Sequence, residues 1–321
     1  MGSWTLVWVP ILLQSCTQVS GHGNMVFPMT WWDKDQLGWY FNKDGVWGKL
    51  GCGVLDLPED TEYQENHGGH KPDCMQMWFS HGTKIPGSAS IPDNLSQADL
   101  DCNGKSQSFV THSPWNAPGT APVFGPCGTL GANPFGCIDQ GEHDGEHEFG
   151  DCCNQDCSHG FANGDNAENY EWENPPVTEW KAGSYQEVAW FVAANHAGGY
   201  AYRICKIPDG GISKLTEDCF QENHLDFAGE EQWVEYQANR TTGQRTELKA
   251  LQTTEGTFPP GSMWRANPLH PDEGSDYARG HIIDNLKVPA NLETGDYVLS
   301  FRWDCKCTQQ VWGSCANIKI V

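Results

Sequence analysis

The alternation of apolar and polar residues along this chain predicts β-strands and little helix. The longest strand covers 185–194, where successive side chains point to opposite sides. Four of its side chains share one face: Val188, Trp190, Val192 and Ala194. Phe191 lies on the other face, so both faces of this strand are partly apolar. Shorter strands are predicted at 200–207, 296–303 and 315–321.

Turn-forming residues separate these strands and favour an antiparallel β-sandwich. The chain contains 36 Gly and 19 Pro, which interrupt short runs rich in β-branched and aromatic residues. Between about 101 and 174 the composition shifts to Gly, Pro, Asn, Asp and Cys, with too few apolar residues for a separate core. We therefore predict one all-β domain over 22–321, with a long disulfide-stapled insertion at about 101–174.

The first 21 residues have the pattern of a secretory signal peptide. They contain no charged side chain, and the apolar run at 6–13 is too short to span a bilayer. Gly21 in the last position and Val19 two residues earlier suit signal peptidase, which predicts a cut before His22 and export of the rest. Two alternatives stay open. One is a buried N-terminal strand, and the other is a cut after Val19, which would let Ser20, Gly21 and His22 bind Cu(II) in a closed square plane.

Cysteines and charge agree with a secreted, extracellular protein. The sequence has 14 cysteines, and disulfides persist in oxidising compartments. Cys16 belongs to the predicted signal peptide, so an odd number remains and at least one thiol is expected to be free or intermolecular. Asn94 and Asn239 stand in glycosylation sequons. The net charge of −23 argues against nucleic acid and anionic membranes as partners, since both attract basic surfaces.

After such a cut, His22 would offer a metal ion two nitrogens from one residue. These are the imidazole and the α-amine, whose ordinary pKa of about 7.7–8.0 lets a metal displace its proton near neutral pH. A second histidine would complete three nitrogens in a tetragonal arrangement that suits Cu(II). His196 has the right position, because it follows the 185–194 strand just before Gly198 and Gly199 turn the chain.

Three motifs in order resemble the lytic polysaccharide monooxygenases. They are His22-Gly23 after a signal peptide, the 194–200 segment reading Ala-Asn-His-Ala-Gly-Gly-Tyr, and the 314–318 segment reading Ser-Cys-Ala-Asn-Ile. The group it looks most like is auxiliary activity family fifteen, a chitin-binding type-4 domain. The resemblance covers 22–52 and 177–321, whereas the central insertion matches poorly.

The resemblance implies an immunoglobulin-like β-sandwich with one copper ion in a histidine brace. His22 would supply the amine and one ring nitrogen, His196 would supply the third nitrogen, and Ala194 would crowd one axial face. An external reductant, with O2 or H2O2 as co-substrate, would then drive hydroxylation of a C–H bond in an insoluble polysaccharide, chitin before cellulose. We expect a monomer.

Three positions depart from the family pattern. Trp312 stands where the family places an axial Tyr or Phe, and an indole would be a neighbour of the metal and not a strong ligand. Asn317 replaces an Asp, and Gln310 replaces a catalytic Glu, so Gln310 would orient the reacting oxygen without a negative charge. These changes favour a rival class of protein, a secreted polysaccharide-binding or copper-holding protein that keeps the brace without turnover.

Other candidate sites have weaker signals. Trp31 and Trp32 follow the brace histidine and would either stack on sugar rings or pack in the core. The 143–147 segment matches the His-x-x-Glu-His pattern of some zinc proteases but lacks helical periodicity. The 99–110 segment lacks the final Glu of a calcium loop, and the Cys and His residues of 152–159 fit disulfides better than zinc.

Overall fold

The computed structural model describes most of the predicted strands and part of the segments that connect them. The described residues are 22–31, 39–41, 47–49, 78–80, 91–97, 100, 102, 113–121, 123, 125–128, 167–169, 172, 174–236, 242–270, 275, 277–308 and 310–321. The predicted signal peptide therefore lies outside them. Within this part of the chain, no helix is both long and apolar enough to cross a membrane.

Two sheets packed face to face form the core of the described part of the chain. The strands in chain order are β1 (His22–Phe27), β2 (Trp39–Phe41), β3 (Trp47–Lys49), β4 (Trp78–Ser80), β5 (Val177–Trp180), β6 (Tyr185–Ala194), β7 (Gly199–Lys206), β8 (Glu231–Tyr236), β9 (Thr246–Lys249), β10 (Gln252–Thr253), β11 (Trp264–Ala266), β12 (Gly280–Lys287), β13 (Gly295–Asp304) and β14 (Gln310–Ile320). Five form a sheet in the order β1-β6-β12-β8-β9. Seven form the other, in the order β10-β11-β7-β13-β14-β4, with β5 parallel to β14, and β2 pairs with β3. The predicted β-sandwich is confirmed.

The predicted strands agree closely with the observed ones. The strand predicted at 185–194 has the bounds of β6, and β7 and β13 begin and end within one residue of their predicted bounds. β14 begins at Gln310, five residues earlier than predicted. The reason is pairing: the ladder between β13 and β14 continues past Trp303 and Trp312 to Asp304 and Val311.

Aromatic rings fill the space between the two sheets. Trp190 of β6 lies at the centre, with its ring centroid 4.8 Å from Tyr200, 4.9 Å from Phe301 and 5.1 Å from Trp303. All four side chains are fully buried, and each ring of this kind removes about 150–250 Å² from water. Phe191 is buried on the opposite side of β6, in agreement with the predicted two apolar faces.

A buried ion pair joins the sheets at one side of this core. Arg265 of β11 donates to Asp284 of β12 at 2.7 Å, and neither side chain is exposed. Tyr200 also donates to Asp284 at 2.7 Å, and the Arg265 guanidinium lies 4.5 Å from the centre of the Phe227 ring. Burial raises the pKa of Asp284, an effect that Arg265 and the Tyr200 hydroxyl oppose. The charges are tolerated here because each has a partner.

A third layer covers the outer face of the seven-stranded sheet. It contains helix α1 (Asp93–Ser96), helix α2 (Glu217–Glu222) and the short 3₁₀ turns Pro114–Asn116 and Ala167–Asn169. Among the described residues, three disulfides tie this layer to β7, to β14 and to the loop between β13 and β14: Cys205–Cys219, Cys127–Cys315 and Cys102–Cys307. Two of them attach described parts of the predicted 101–174 insertion, whose centre at 129–166 lies outside the described residues.

Candidate metal centre

The register between β1 and β6 places the main chain of both predicted ligands at the same end of these two neighbouring strands. His22 is the antiparallel partner of Ala194, two residues before His196. Cα atoms of such partners lie about 4.5–5.5 Å apart. A register shift between His22 and Gly23 marks a local irregularity where β1 begins. The main chain of His22 therefore starts beside the end of the strand that leads into His196.

Packing of β1 against both sheets fixes this register. A Cβ atom on Gly23 would lie 2.7 Å from the ring of Trp303 and 3.3 Å from the carbonyl oxygen of Phe191, so only glycine allows this close approach. Two residues on, Met25 is fully buried, and its N–H donates to the Ser314 hydroxyl of β14 at 3.0 Å. The strand that begins with His22 is thus held against Trp303.

His196 is buried beside the same tryptophan. Its side chain is 1% exposed, and its ring stacks on Trp303 with centroids 6.3 Å apart and planes inclined by 21°. The main-chain oxygen of His196 accepts from the N–H groups of Lys306 at 3.1 Å and Cys307 at 3.0 Å. Trp303 therefore contacts both the β1 strand and the His196 ring. Sequence reasoning assigned Trp303 no role, although it ends a predicted strand.

The turn after His196 is built from unusual backbone conformations. Ala197 has a φ of 53° and Gly198 a φ of 82°, both in the left-handed region. A Cβ atom on Gly198 would clash with the Asp304 carbonyl oxygen, so glycine is required there for space as well as for conformation. The carbonyl oxygen of Ala197 accepts from the Trp303 indole N–H at 2.8 Å. Trp303 thus supports this turn by a hydrogen bond in addition to ring stacking.

Asn195 connects the turn to a neighbouring loop. Its Oδ1 accepts from the N–H of Ala197 at 2.8 Å and from Nδ2 of Asn267 at 2.9 Å. Its Nδ2 donates to the carbonyl oxygens of Leu269 at 3.2 Å and His270 at 2.8 Å. The side chain is buried, and all of its contacts are with residues far along the chain or in the turn itself. Asn195 stands in the motif used for the family resemblance, but its structural role was not predicted.

Gln310 and Trp312 are buried together on β14, next to Trp303 of β13. Trp312 is fully buried, and its ring stacks on Trp303 at 6.2 Å with an interplanar angle of 30°. Its indole N–H donates to Oε1 of Gln310 at 3.3 Å, and the Thr308 hydroxyl donates to the same oxygen at 3.2 Å. Trp303 therefore contacts the rings of both His196 and Trp312.

Two curated proteins with the same name are similar to this chain in sequence. No family model matches the chain. Two curated relatives are each named AA13 family lytic polysaccharide monooxygenase A. The one from Pyricularia oryzae is 27% identical over 168 residues, which cover 46% of this chain and 44% of the relative. The one from Aspergillus terreus is 28% identical over 177 residues, which cover 46% and 42%.

The chain is similar to lytic polysaccharide monooxygenases. The resemblance expected from the motifs is confirmed at that level, whereas family fifteen is not, because both relatives carry the name of family thirteen. The chain matches less than half the length of these curated relatives.

Solved structures that match the chain are only loosely similar to it. A structure described as the cellulose active LPMO CelS2 in complex with copper has a TM-score of 0.37 and 14% identity, covering 94% of this chain and 99% of that chain. A chitin binding domain from Burkholderia pseudomallei has a TM-score of 0.36 and 12% identity, covering 94% and 100%. These low scores add nothing to the fold, which is established by the strand pairing of the chain itself.

The described residues allow the predicted pair of copper ligands, His22 and His196, to be compared with the structure only in part. Among the described side chains, no group of three or more His, Cys, Asp and Glu is arranged to hold a metal ion. A histidine brace draws one nitrogen from the main chain, so it needs only two side chains. The β1 register supplies the main-chain placement of His22, and Gly23 leaves no side chain between that strand and Trp303. The ring of His22 itself lies outside the description.

Trp31 packs in the core, which is one of the two alternatives predicted for it. Trp31 is 3% exposed, its ring packs against Trp172 at 5.9 Å, and its N–H donates to Oδ1 of Asn317 at 2.7 Å. The indole is therefore buried in the core and is not placed to stack on sugar. Trp32 and Asn239 lie outside the described residues, as do 143–147 and 152–159, whereas Asn94 is exposed, as a glycosylation acceptor must be.

Proposed function

We propose that this chain is a secreted, copper-dependent lytic polysaccharide monooxygenase whose copper site uses His22 and His196. The observation that carries the proposal is the antiparallel register that pairs His22 with Ala194, two residues before the buried His196. The two curated relatives support the same class of enzyme. The substrate is an insoluble polysaccharide, with chitin as the first candidate and cellulose as the second.

Copper held by these residues would supply the oxidising chemistry at a C–H bond of the polysaccharide, with an external reductant and with O2 or H2O2. The residues of the chain would bind the copper ion and fix the orientation of its ligands. The α-amine of His22 would bind once signal peptidase had released it, because its proton is easily displaced near neutral pH. Stacking on Trp303 fixes the plane of the His196 ring and excludes water from that side.

Gln310 would orient a reacting oxygen by hydrogen bonding. Its Oε1 already accepts from Trp312 and Thr308, which fixes the direction of the amide. Because Trp312 is fully buried and stacks on Trp303, it would be a neighbour of the site and would not coordinate the metal. These two residues also favour a second candidate function, a copper-holding or polysaccharide-binding protein without turnover, since neither supplies the phenol or carboxylate of the family pattern.

Copper binding by the mature protein tests the site. We expect tight binding of one Cu(II) per chain when residue 22 is the amino terminus. The variant His196→Ala, and a chain with one extra residue before His22, should each lose tight binding because each removes a nitrogen ligand. A matched control is His224→Ala, since this histidine packs against Trp264 in the outer layer. Isothermal titration that found native affinity in either test variant would disprove the assignment.

A further inference from the structure

Gln97 contacts the turn that follows His196 from a distant part of the chain. It comes directly after α1, 101 residues before Gly198 in sequence. Its Oε1 accepts from the N–H of Gly198 at 2.8 Å, and its Nε2 donates to the carbonyl oxygen of the same residue at 3.3 Å. One side-chain amide thus binds both polar groups of a single main-chain residue.

Backbone strain is concentrated on the two sides of this contact. Among the described residues, three that are not glycine have positive φ: Gln97 at 53°, Asn174 at 47° and Ala197 at 53°. Gln97 binds the residue next to Ala197, so two of the three strained positions meet here. Strain of this kind persists only where the surroundings over-determine the conformation, and it is common at functional sites.

The segment that carries Gln97 is itself firmly anchored. The indole N–H of Trp115 donates to the carbonyl oxygen of Leu95 at 2.9 Å. On the other side of Gln97, the Cys102–Cys307 disulfide joins the segment to the residue whose N–H binds the His196 carbonyl oxygen. The segment therefore holds the turn at two points, at Gly198 through Gln97 and at His196 through Cys307.

We infer that Gln97 is a positioning residue for His196. By fixing Gly198 it keeps Ala197 in the left-handed conformation, which sets the direction in which the preceding histidine ring leaves the backbone. Without the amide, the turn would sample other conformations, and metal binding would have to select the productive one. This inference rests on the proposed copper site, but the contact with Gly198 is measurable without any metal.

The test compares Gln97→Met with a matched control, Gln186→Met. Methionine keeps the length of the side chain and removes both hydrogen bonds. Gln186 lies near the start of β6, at the opposite end of that strand from His196, and donates to Ser184 at 2.8 Å. Loss of the Gly198 contact should speed amide exchange of Gly198 in the metal-free protein by about 5- to 10-fold, as expected for one lost hydrogen bond. It should weaken Cu(II) binding by a similar factor and change the Cu(II) electron paramagnetic resonance spectrum.

The control should leave all three measurements unchanged. Gln97→Glu should give intermediate values, because a carboxylate oxygen still accepts from the Gly198 N–H but cannot donate to the Gly198 carbonyl oxygen. If Gln97→Met fails to fold, Gln97→Gly removes the same side chain while relieving the positive φ, and the same changes are expected. Native Gly198 exchange and native copper affinity in Gln97→Met or Gln97→Gly would overturn the inference. Absence of copper binding by the native chain would instead overturn the proposed function, and the metal-free exchange would still test Gln97.

Discussion

The two faces of β7 and β13 are both buried, but they are stabilised in different ways. The inner face presents aromatic rings to the five-stranded sheet: Tyr200, Tyr202, Phe301 and Trp303. The outer face presents polar and charged side chains to the disulfide-tied layer: Arg203, Ser300, Arg302 and Asp304. Apolar area stabilises the inner face, whereas the outer face depends on matching each charge with a partner.

The charges of the outer face form one connected network. Arg302 donates to Asp304 at 2.7 Å and to Glu217 of α2 at 3.2 Å, and Arg203 pairs with the same glutamate. Arg302 also donates to the carbonyl oxygen of Ala121 at 2.9 Å, which ties the network to the covering layer. In such a network the loss of one member leaves an opposite charge buried, so its parts are interdependent.

The two faces meet at the candidate metal centre. Trp303, on the inner face, stacks on His196. Its neighbour Asp304, on the outer face, accepts from the N–H of Gly119 at 2.8 Å, and its main chain lies against Gly198. The position of His196 therefore depends on apolar packing from one side and on the polar, disulfide-tied layer from the other.

The largest effect on stability is expected from breaking the outer network. Arg302→Met should lower the free energy of unfolding by about 3–5 kcal/mol, because it leaves Asp304 buried without its partner. Lys206→Met is the matched control, since it breaks an ion pair with Glu293 whose side chains are 51% and 78% exposed, and it should change stability little because water screens these charges. Denaturant unfolding measures both. Equal losses in the two variants would contradict the account of the outer face.

A smaller loss of stability, with a specific effect on the site, is expected from the inner face. Trp303→Leu should lower the free energy of unfolding by about 2–4 kcal/mol through the cavity it creates. It should also weaken copper binding, because the His196 ring loses its stacking partner and Ala197 loses a hydrogen bond. Trp264→Leu, at another fully buried tryptophan, should destabilise the fold without changing copper affinity. Calorimetry and copper titration would be carried out on both variants. If Trp264→Leu weakened copper binding as much as Trp303→Leu, the role of Trp303 would be purely structural.

The smallest effect concerns a carboxyl group in the covering layer. Burial raises the pKa of Glu168 to about 7. Between about pH 4.5 and 7 the folded protein keeps this proton while the unfolded chain loses it, so stability should fall as pH rises through that window, by about 1–3 kcal/mol in all. Glu168→Gln should remove this part of the pH dependence. Unfolding curves at pH 4.5, 6 and 7.5 measure it, and an unchanged slope in the variant would disprove the assignment.

Alternation made the inner face predictable from sequence. The period of two in 185–194 predicts the bounds of β6 and its core-facing side chains, and His196 is proposed as a ligand because it follows that strand. The burial of Arg203 and Arg302 was not predictable, because it depends on a covering layer held by the Cys127–Cys315 disulfide, 188 residues apart.

Contacts between distant segments explain what could not be predicted. The burial of Trp31 could not be predicted, because it depends on contacts with Trp172 and Asn317, far along the chain. Stacking on sugar therefore stayed open for this residue. Gln97 had no signal at all, since a lone glutamine after a four-residue helix has no sequence pattern of its own. Residues placed by local periodicity could thus be predicted, whereas residues whose contacts come from distant segments, such as Gln97, could not.

Mass spectrometry of soluble products tests the central claim most directly. Copper-loaded mature protein would be incubated with chitin or cellulose, with and without ascorbate. The account predicts oxidised oligosaccharides from an insoluble polysaccharide only when the reductant is present, and none from His196→Ala. Absence of oxidised products on every polymer, with copper bound, would contradict monooxygenase activity and favour the copper-holding or polysaccharide-binding function.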